Sequence, residues 1–426
     1  MPHALILSYY FPPRFNVGGK RMDRFCRHLP GEGWSTTVVT AAPHPEERLD
    51  PSTPTEPPCP VLPLWTTPEE AAARAWTPYG SDGTITAPTR HRPARSKLLS
   101  ALGRMGFKRP VGPELGEVPR IAGRIVAGAA EPRPDVVLAT GAPWEVVVAG
   151  ARVAEALDVP LVADLRDPWT MNPIQAGRPF LTRALDKAFE RRTLGRAAMV
   201  LLTAETARDA YRARFPDHPR IECVRNSFDA PGTPAPAADE RFTLVHFGNC
   251  YWRRDLGAFL RAFALFVERA GDAAAAAGAR LLNLGRVAQV DLDLAAELGL
   301  GERFEHMTFL PYREGLELVR ASAGAVLPVY GGSPLFLPAK LYDYLAAGVP
   351  ILATDASREL RGILDATRAG WVEDVGDIEA LAARMLALFE AHQTGNRAVE
   401  PDPAAVAALE ARAVTRELAE LLGAVV

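Results

Sequence analysis

Two rhythms of apolar and polar positions alternate along this chain. Short runs in which nearly every residue is apolar, bounded by Gly, Pro or Asp, read as buried strands. Stretches with apolar residues three and four apart read as helices. The first run, Ala4 to Ser8, is followed by the breaker Phe11-Pro12-Pro13 and the pair Gly18-Gly19. A helical pattern from Lys20 to Leu29 and a second run at Ser35 to Thr40 come next. A strand, a crossover helix and a strand imply parallel pairing, because the connection is too long for a hairpin. Further runs at Asp135 to Ala139, Leu161 to Ala163 and Met199 to Leu202 extend the series.

A second series opens near Arg241. Strands are predicted at Thr243 to Phe247, Arg280 to Leu284, Arg303 to Phe309, Gly324 to Pro328 and Pro350 to Ala353. Helices are predicted at Leu256 to Ala270, Leu292 to Leu298, Glu314 to Ala321 and Ala339 to Ala347. The chain therefore reads as α/β twice over, split by the Pro/Ala-rich stretch 230–240. The expected division is an N-terminal domain over 1–229, a linker over 230–240, a second domain over 241–400 and a C-terminal helix over 401–426. A chain of 426 residues is long for one core, which agrees with two domains. Residues 43–119 are Pro-rich and weakly periodic, and part of them is expected to be an excursion from the first domain.

Composition then removes several classes. The chain is 48% apolar and 23% charged with a formal net charge of −3, which gives no support to a nucleic-acid binder acting through bulk charge. The cysteines, Cys26, Cys59, Cys223 and Cys250, never pair as C-x-x-C, and no charged-then-apolar leader follows Met1. A cytoplasmic protein with reduced thiols is expected. No apolar stretch approaches the roughly 18 to 20 residues that span a bilayer. The segment His91 to Pro110 is basic, with Leu98, Leu99, Leu102, Met105 and Phe107 interleaved. It fits a helix lying on an anionic membrane at the inner face of the cytoplasmic membrane, or a helix packed on its own domain with a solvated basic face.

The strongest candidate chemistry runs from Gly331 to Thr354, GGSPLFLPAKLYDYLAAGVPILAT. A Gly-Gly-Ser-Pro loop opens onto a helix whose first turns carry Lys340 and Asp343. A helix N-terminus offers unpaired N–H groups and a positive dipole end, which suit a diphosphate. Lys340 would add a full charge, and Asp343 could accept from a ribose diol. A capped amphipathic helix with a solvated Lys and Asp accounts for the same letters. A second candidate is VADLRDPW, Val162 to Trp169. It sets Asp164, Arg166, Asp167 and Trp169 at the C-terminal end of a strand, where ligands collect in open α/β sheets; an Arg-Asp pair tying the loop down is the alternative. His246 reads as a satisfied core histidine. Asp291 and Asp293 read as helix capping rather than a metal pair, and no metal is expected. A nicotinamide enzyme is disfavoured, since no G-x-G-x-x-G follows the first strand.

The Gly331 to Thr354 block resembles the donor-site signature of family 4 glycosyltransferases, retaining enzymes of the GT-B fold. VRNSFD (Val224 to Asp229), VHFGNCYWRRDL, LLNLGR, MTFLPYREGLELVRASAGAVLPV and the YYFPPRFNVGG start resemble that family's other motifs, in the same order. The resemblance implies two facing Rossmann-like domains with parallel sheets and a C-terminal helix crossing back. It implies a nucleoside-diphosphate sugar as co-substrate, no further cofactor, and a glycan, lipid-linked or small-molecule acceptor. It also implies roles. Gly18, Gly19, Arg253, Arg254 and Lys340 would bind the donor diphosphate. Asp343, Gly248, Leu337 and Pro338 would hold the ribose and nucleotide. Asp164, Arg166 and Asp167 would stand at the reacting centre. The sequence departs from the family pattern where Leu335 replaces a Glu, and Pro338 removes an N–H from the phosphate loop. A nucleotide-sugar epimerase drawing on Asp164, Asp167 and Glu145, and a non-catalytic partner of the same fold, are the alternatives.

Overall fold

The computed structural model describes residues 1–14, 17–47, 49–51, 56–74, 110–129, 131–230, 239–250, 255–308, 310–329, 335–354 and 357–426. They form two compact units, Met1–Asn226 with Ala411–Val426, and Ser227–Glu410.

In the first unit β1 (His3–Ser8), β2 (Ser35–Ala41), β3 (Val61–Thr66), β4 (Val136–Gly141), β5 (Leu161–Leu165), β6 (Met199–Leu202) and β7 (Ile221–Cys223) build one sheet. Its order is β3-β2-β1-β4-β5-β6-β7, and every neighbouring pair is parallel. The central strands are buried along their whole length, which is why they read as continuous apolar runs rather than alternating ones. β3 was hidden inside the Pro-rich 43–119 stretch. Pro63 sits within it, tolerable because β3 is the edge strand and one missing N–H breaks no interior ladder. The final helix, Ala411–Gly423, packs on the Val17–His28 helix and gives Val414, Leu418 and Leu422 to this unit's core. Full burial of each such side chain contributes about 1.5–3 kcal/mol.

The second unit repeats the plan with β8 (Thr243–Phe247), β9 (Arg280–Leu284), β10 (Phe304–Met307), β11 (Gly324–Pro328), β12 (Ile351–Thr354) and β13 (Gly370–Glu373). The order is β10-β9-β8-β11-β12-β13, again parallel throughout. One side of the core is an aromatic cluster. Phe242 meets Phe266 at 5.3 Å and Phe389 at 5.2 Å between ring centroids, joining β8 to the helices Gly257–Ala270 and Ile378–Thr394. An isolated parallel bridge between Phe228 and Glu410 pairs the two ends of this unit. Strand order reverses between β1 and β4 and between β8 and β11. Loops at the carboxyl ends of strands flanking such a reversal are where doubly wound sheets bind ligands.

Candidate functional site

The β8/β11 reversal of the second unit brings two predicted residues, Gly248 and Lys340, together. Gly248 follows β8 with φ +151°, a backbone conformation that L side chains rarely adopt. A Cβ there would lie 2.0 Å from Lys340 Cε and 2.6 Å from Nζ, so the lysine stem crosses directly over the glycine. Lys340 is the first residue of the helix Lys340–Ala347, whose N-cap, Ala339, supplies no side-chain cap. A full positive charge and an uncapped positive dipole end thus sit at one strand end. Gly285, after β9, closes the floor. Its own Cβ would meet the Gly248 carbonyl oxygen at 2.4 Å, so the two loops touch backbone to backbone.

Asp343 lies one turn along the same helix. The Tyr312 hydroxyl donates to its Oδ1 at 2.6 Å, and the Tyr312 ring stacks on Phe247 at 5.9 Å and 22°. Phe247 in turn rests on Gly315, where any Cβ would come within 2.5 Å of the ring. One carboxylate oxygen of Asp343 is therefore already engaged. Tyr344, next on the helix, accepts from Phe247 N–H at 2.9 Å and donates to the Val326 carbonyl at 3.3 Å, pinning the helix to β8 and β11. Burial pushes its phenol well above the ordinary range, which keeps it a donor. Leu337 is buried in the turn before the helix, and the Pro338 carbonyl accepts the Leu341 amide at 3.0 Å. Arg253, Arg254 and the opening of the loop at Gly331 lie outside the described residues, as does all but Pro110 of the basic 91–110 segment.

Beneath this surface His246 is buried, with Nδ1 2.6 Å from Asn283 Oδ1. The Asn283 amide nitrogen donates to the Gly285 carbonyl at 2.7 Å, which fixes its oxygen as acceptor and puts the imidazole proton on Nδ1. Burial lifts the neighbouring Cys250 thiol to about 12. Asp291 caps a helix other than its own: its Oδ1 accepts from Leu256 N–H at 2.9 Å, ahead of Gly257–Ala270. Asp293 instead accepts from Gln289 at 2.8 Å, so the two carboxylates do not converge. Among the described residues no cluster of His, Cys, Asp and Glu is arranged to hold a metal.

The predicted residues of the first unit are placed differently. Asp164 is fully buried on β5; Arg21 binds its Oδ1 at 2.9 Å and Thr140 donates to its Oδ2 at 2.7 Å. Arg21 also donates to the Val224 and Arg225 carbonyls at 2.9 and 2.7 Å, tying the Val17–His28 helix to the turn that leaves β7. Asp164 is thus the centre of a structural clamp and presents no oxygen to solvent. Arg166 holds the Gly141 and Ala142 carbonyls, and burial lowers its pKa. It stays cationic and serves the β4 loop. Asp167 is exposed at the end of β5. Gly19 is needed for a reason inside the fold: a Cβ would come within 3.0 Å of the Tyr10 carbonyl and the Phe11 Cα. Gly18 is the second residue of the Val17–His28 helix, partly exposed.

Residues that sequence reasoning passed over hold the loop after Asp167. Glu190, fully buried, accepts from Thr170 N–H at 3.1 Å, the Thr170 hydroxyl at 2.6 Å and the Tyr211 hydroxyl at 2.8 Å, and pairs with Arg214 at 2.8 Å. Tyr211 accepts from Trp169 N–H at 2.7 Å, and Trp169 stacks on Trp144 at 5.3 Å. Burial, then the Glu190 charge, raises the Tyr211 pKa. Glu145 is buried too, under Gly112, and accepts from Glu114 N–H at 3.0 Å. The only signal for Glu190 and Tyr211 was a polar letter at a helical core position.

Comparison with known proteins now bears on this arrangement. Residues 18–227 match the family described as glycosyl transferase 4-like domain, and residues 241–391 match glycosyl transferases group 1. The chain belongs to these glycosyltransferases, and its pair of parallel-sheet Rossmann-like units is the GT-B architecture. Among solved structures, sucrose-phosphate synthase from Thermosynechococcus elongatus is similar at 17% identity and TM-score 0.64, with 100% of this chain and 99% of that one covered. HepE from Anabaena, solved in complex with UDP, is similar at 14% identity and TM-score 0.59, with 100% of each chain covered. A glycosyltransferase from Rickettsia africae is similar at 10% identity and TM-score 0.57, covering 100% of this chain and 98% of that one. No curated protein matches in sequence.

Proposed function

We propose that this glycosyltransferase moves a sugar from a nucleoside-diphosphate sugar to an acceptor hydroxyl with retention of configuration, in the assembly of a surface polysaccharide or another glycan. The observation that carries the reading is Lys340 lying across Gly248 at the uncapped end of its helix. HepE, of the same fold, is solved in complex with UDP-glucose, which supports a nucleotide sugar as the class of donor.

In this mechanism the bond from the sugar's anomeric carbon to the diphosphate oxygen breaks, and the diphosphate leaves with the electron pair. The acceptor oxygen forms the new glycosidic bond, and its proton passes to the departing diphosphate oxygen. Negative charge grows on the leaving group, so preorganised cations and N–H groups at that position stabilise the transition state more than the ground state. Lys340 and the helix end supply this on the chain's own residues, and Arg253 and Arg254 are proposed to add to it. No metal is invoked. Asp343, with one oxygen held by Tyr312, accepts one ribose hydroxyl through the other. Asp167 is the carboxylate of the first unit proposed to stand near the reacting centre, with Glu190, Tyr211 and Trp169 positioning its loop. Among the described residues no helix is long and apolar enough to cross a membrane.

The epimerase alternative would draw on Asp164, Asp167 and Glu145, of which Asp164 and Glu145 are buried and engaged in holding backbone or Arg21. A panel of nucleoside-diphosphate sugars, assayed for nucleoside diphosphate release with and without acceptor glycans, separates the readings. Release that requires an acceptor is expected. Sugar interconversion without an acceptor, or no turnover across the panel, would overturn the proposal.

A further inference from the structure

The helix Phe180–Leu194 wears its polarity inside out. Its buried positions are Thr182, Asp186, Glu190 and Thr193, with Leu194 the one apolar residue among them. Both acids are engaged there. Asp186 accepts from Val111 N–H at 2.6 Å and pairs with Arg178 at 2.8 Å, while Glu190 holds Thr170, Tyr211 and Arg214. The outward side carries Phe180, 80% exposed, Leu181, 63% exposed, and Leu185, 42% exposed, with Ala184 and Ala188 also exposed. At 100° per residue these positions cover an arc of about 140°. Arg183, Lys187, Arg191 and Arg192 are exposed on or beside that arc. None of the four has an ion-pair partner among the described residues, and no acid of this helix is exposed.

Single exposed leucines are ordinary on protein surfaces and need no explanation. A contiguous apolar arc bordered only by cations is a different pattern, since a solvated helix normally mixes both signs of charge. An apolar face with Lys and Arg around it matches a helix lying in the headgroup region of an anionic bilayer. We propose that this helix docks the protein on an anionic lipid surface. Phe180, Leu181 and Leu185 enter the boundary between headgroups and acyl chains, and the four cations meet lipid phosphates. A second copy of the chain is a poorer occupant, because a two-fold contact through this face would set its cations against themselves. The inference is independent of the donor site and of the basic 91–110 segment.

The test is vesicle co-sedimentation of the full chain, with phosphatidylcholine alone and with about a third phosphatidylglycerol. Binding is expected only with the anionic lipid, weakened at least about tenfold when salt rises from about 0.1 to 0.5 M. F180Q/L181Q and R183E/K187E are each expected to weaken binding at least about tenfold with melting temperature and nucleotide affinity unchanged, since the altered side chains are exposed. Hydrogen exchange on the vesicle-bound wild type should show protection across 180–192. The proposal is overturned by absence of anionic-vesicle binding in the wild type, or by equal binding to neutral vesicles. Protection confined to another segment, or a dimer that F180Q/L181Q abolishes, would also overturn it.

Discussion

Each unit sets a cation from a helix against a strand end, and the two use it in opposite ways. Arg21 in the first unit is buried, and its guanidinium is consumed by Asp164 and the Val224 and Arg225 carbonyls. Lys340 in the second is partly exposed, at an uncapped helix start, over a glycine whose missing side chain makes room for it. The planar, five-donor guanidinium suits a fixed network, while a lysine on a flexible stem suits a ligand that comes and goes. A charged motif at a sheet's carboxyl edge is therefore not by itself a site. What distinguishes the two is burial: Arg21 is closed inside its unit, while Lys340 is partly exposed.

Variants that treat the two cations alike should break the symmetry of the comparison. Arg21→Ala leaves Asp164 buried without its partner, and the expected loss is about 3–5 kcal/mol of stability, read from denaturant unfolding. Nucleotide affinity of the folded fraction should hold. Lys340→Ala should do the reverse: turnover falls about a hundredfold, near 2.7 kcal/mol, with the melting temperature unchanged. Gly248→Ala tests whether the lysine's position matters as well as its charge. The added methyl displaces the Lys340 stem, and donor affinity measured by titration should drop about tenfold, 1.4 kcal/mol. Tyr312→Phe removes one donor from Asp343 and should raise donor KM by an amount corresponding to about 0.5–1.5 kcal/mol, with kcat little altered.

A separate effect, on pH dependence rather than on ligand binding, concerns Asp291. Burial lifts its pKa to about 6, above the ordinary 3.8, with Asp255 adding to the shift. The folded protein therefore binds more protons than the unfolded chain between those values, so stability falls as pH rises through that window. Asp291→Asn keeps the acceptor for Leu256 N–H and removes the buried charge. Its melting temperature should exceed the wild type's at pH 7.5, with the gap closing toward pH 4.

Much of this was legible in the sequence. Strands buried on both faces announce themselves as apolar runs, so β1, β4, β5, β8, β9, β11 and β12 were found close to their ends. β3, β7 and β13 were not, since β3 is an edge strand carrying a proline, β7 spans only Ile221–Cys223, and β13 is a four-residue edge strand that is mostly half-buried. The pairing of Gly248 with Lys340 was anticipated only through resemblance to a family, because nothing local states that residues so far apart in sequence touch. Asp164 shows the opposite limit. An acid at a strand's carboxyl end reads the same in letters whether solvent or Arg21 faces it, and Arg21 is supplied from a distant helix. Glu190 and Tyr211 were invisible for the same reason: a buried hydrogen-bond hub is defined by its partners, which lie in other elements.

The central claim is that Lys340, set over Gly248, forms the diphosphate site. Titration calorimetry of nucleoside diphosphates into wild-type protein and Lys340→Ala tests it most directly. The account predicts measurable binding of at least one nucleoside diphosphate, weakened about tenfold or more by the substitution in a protein that melts at the same temperature. Equal affinity in the two proteins would contradict it.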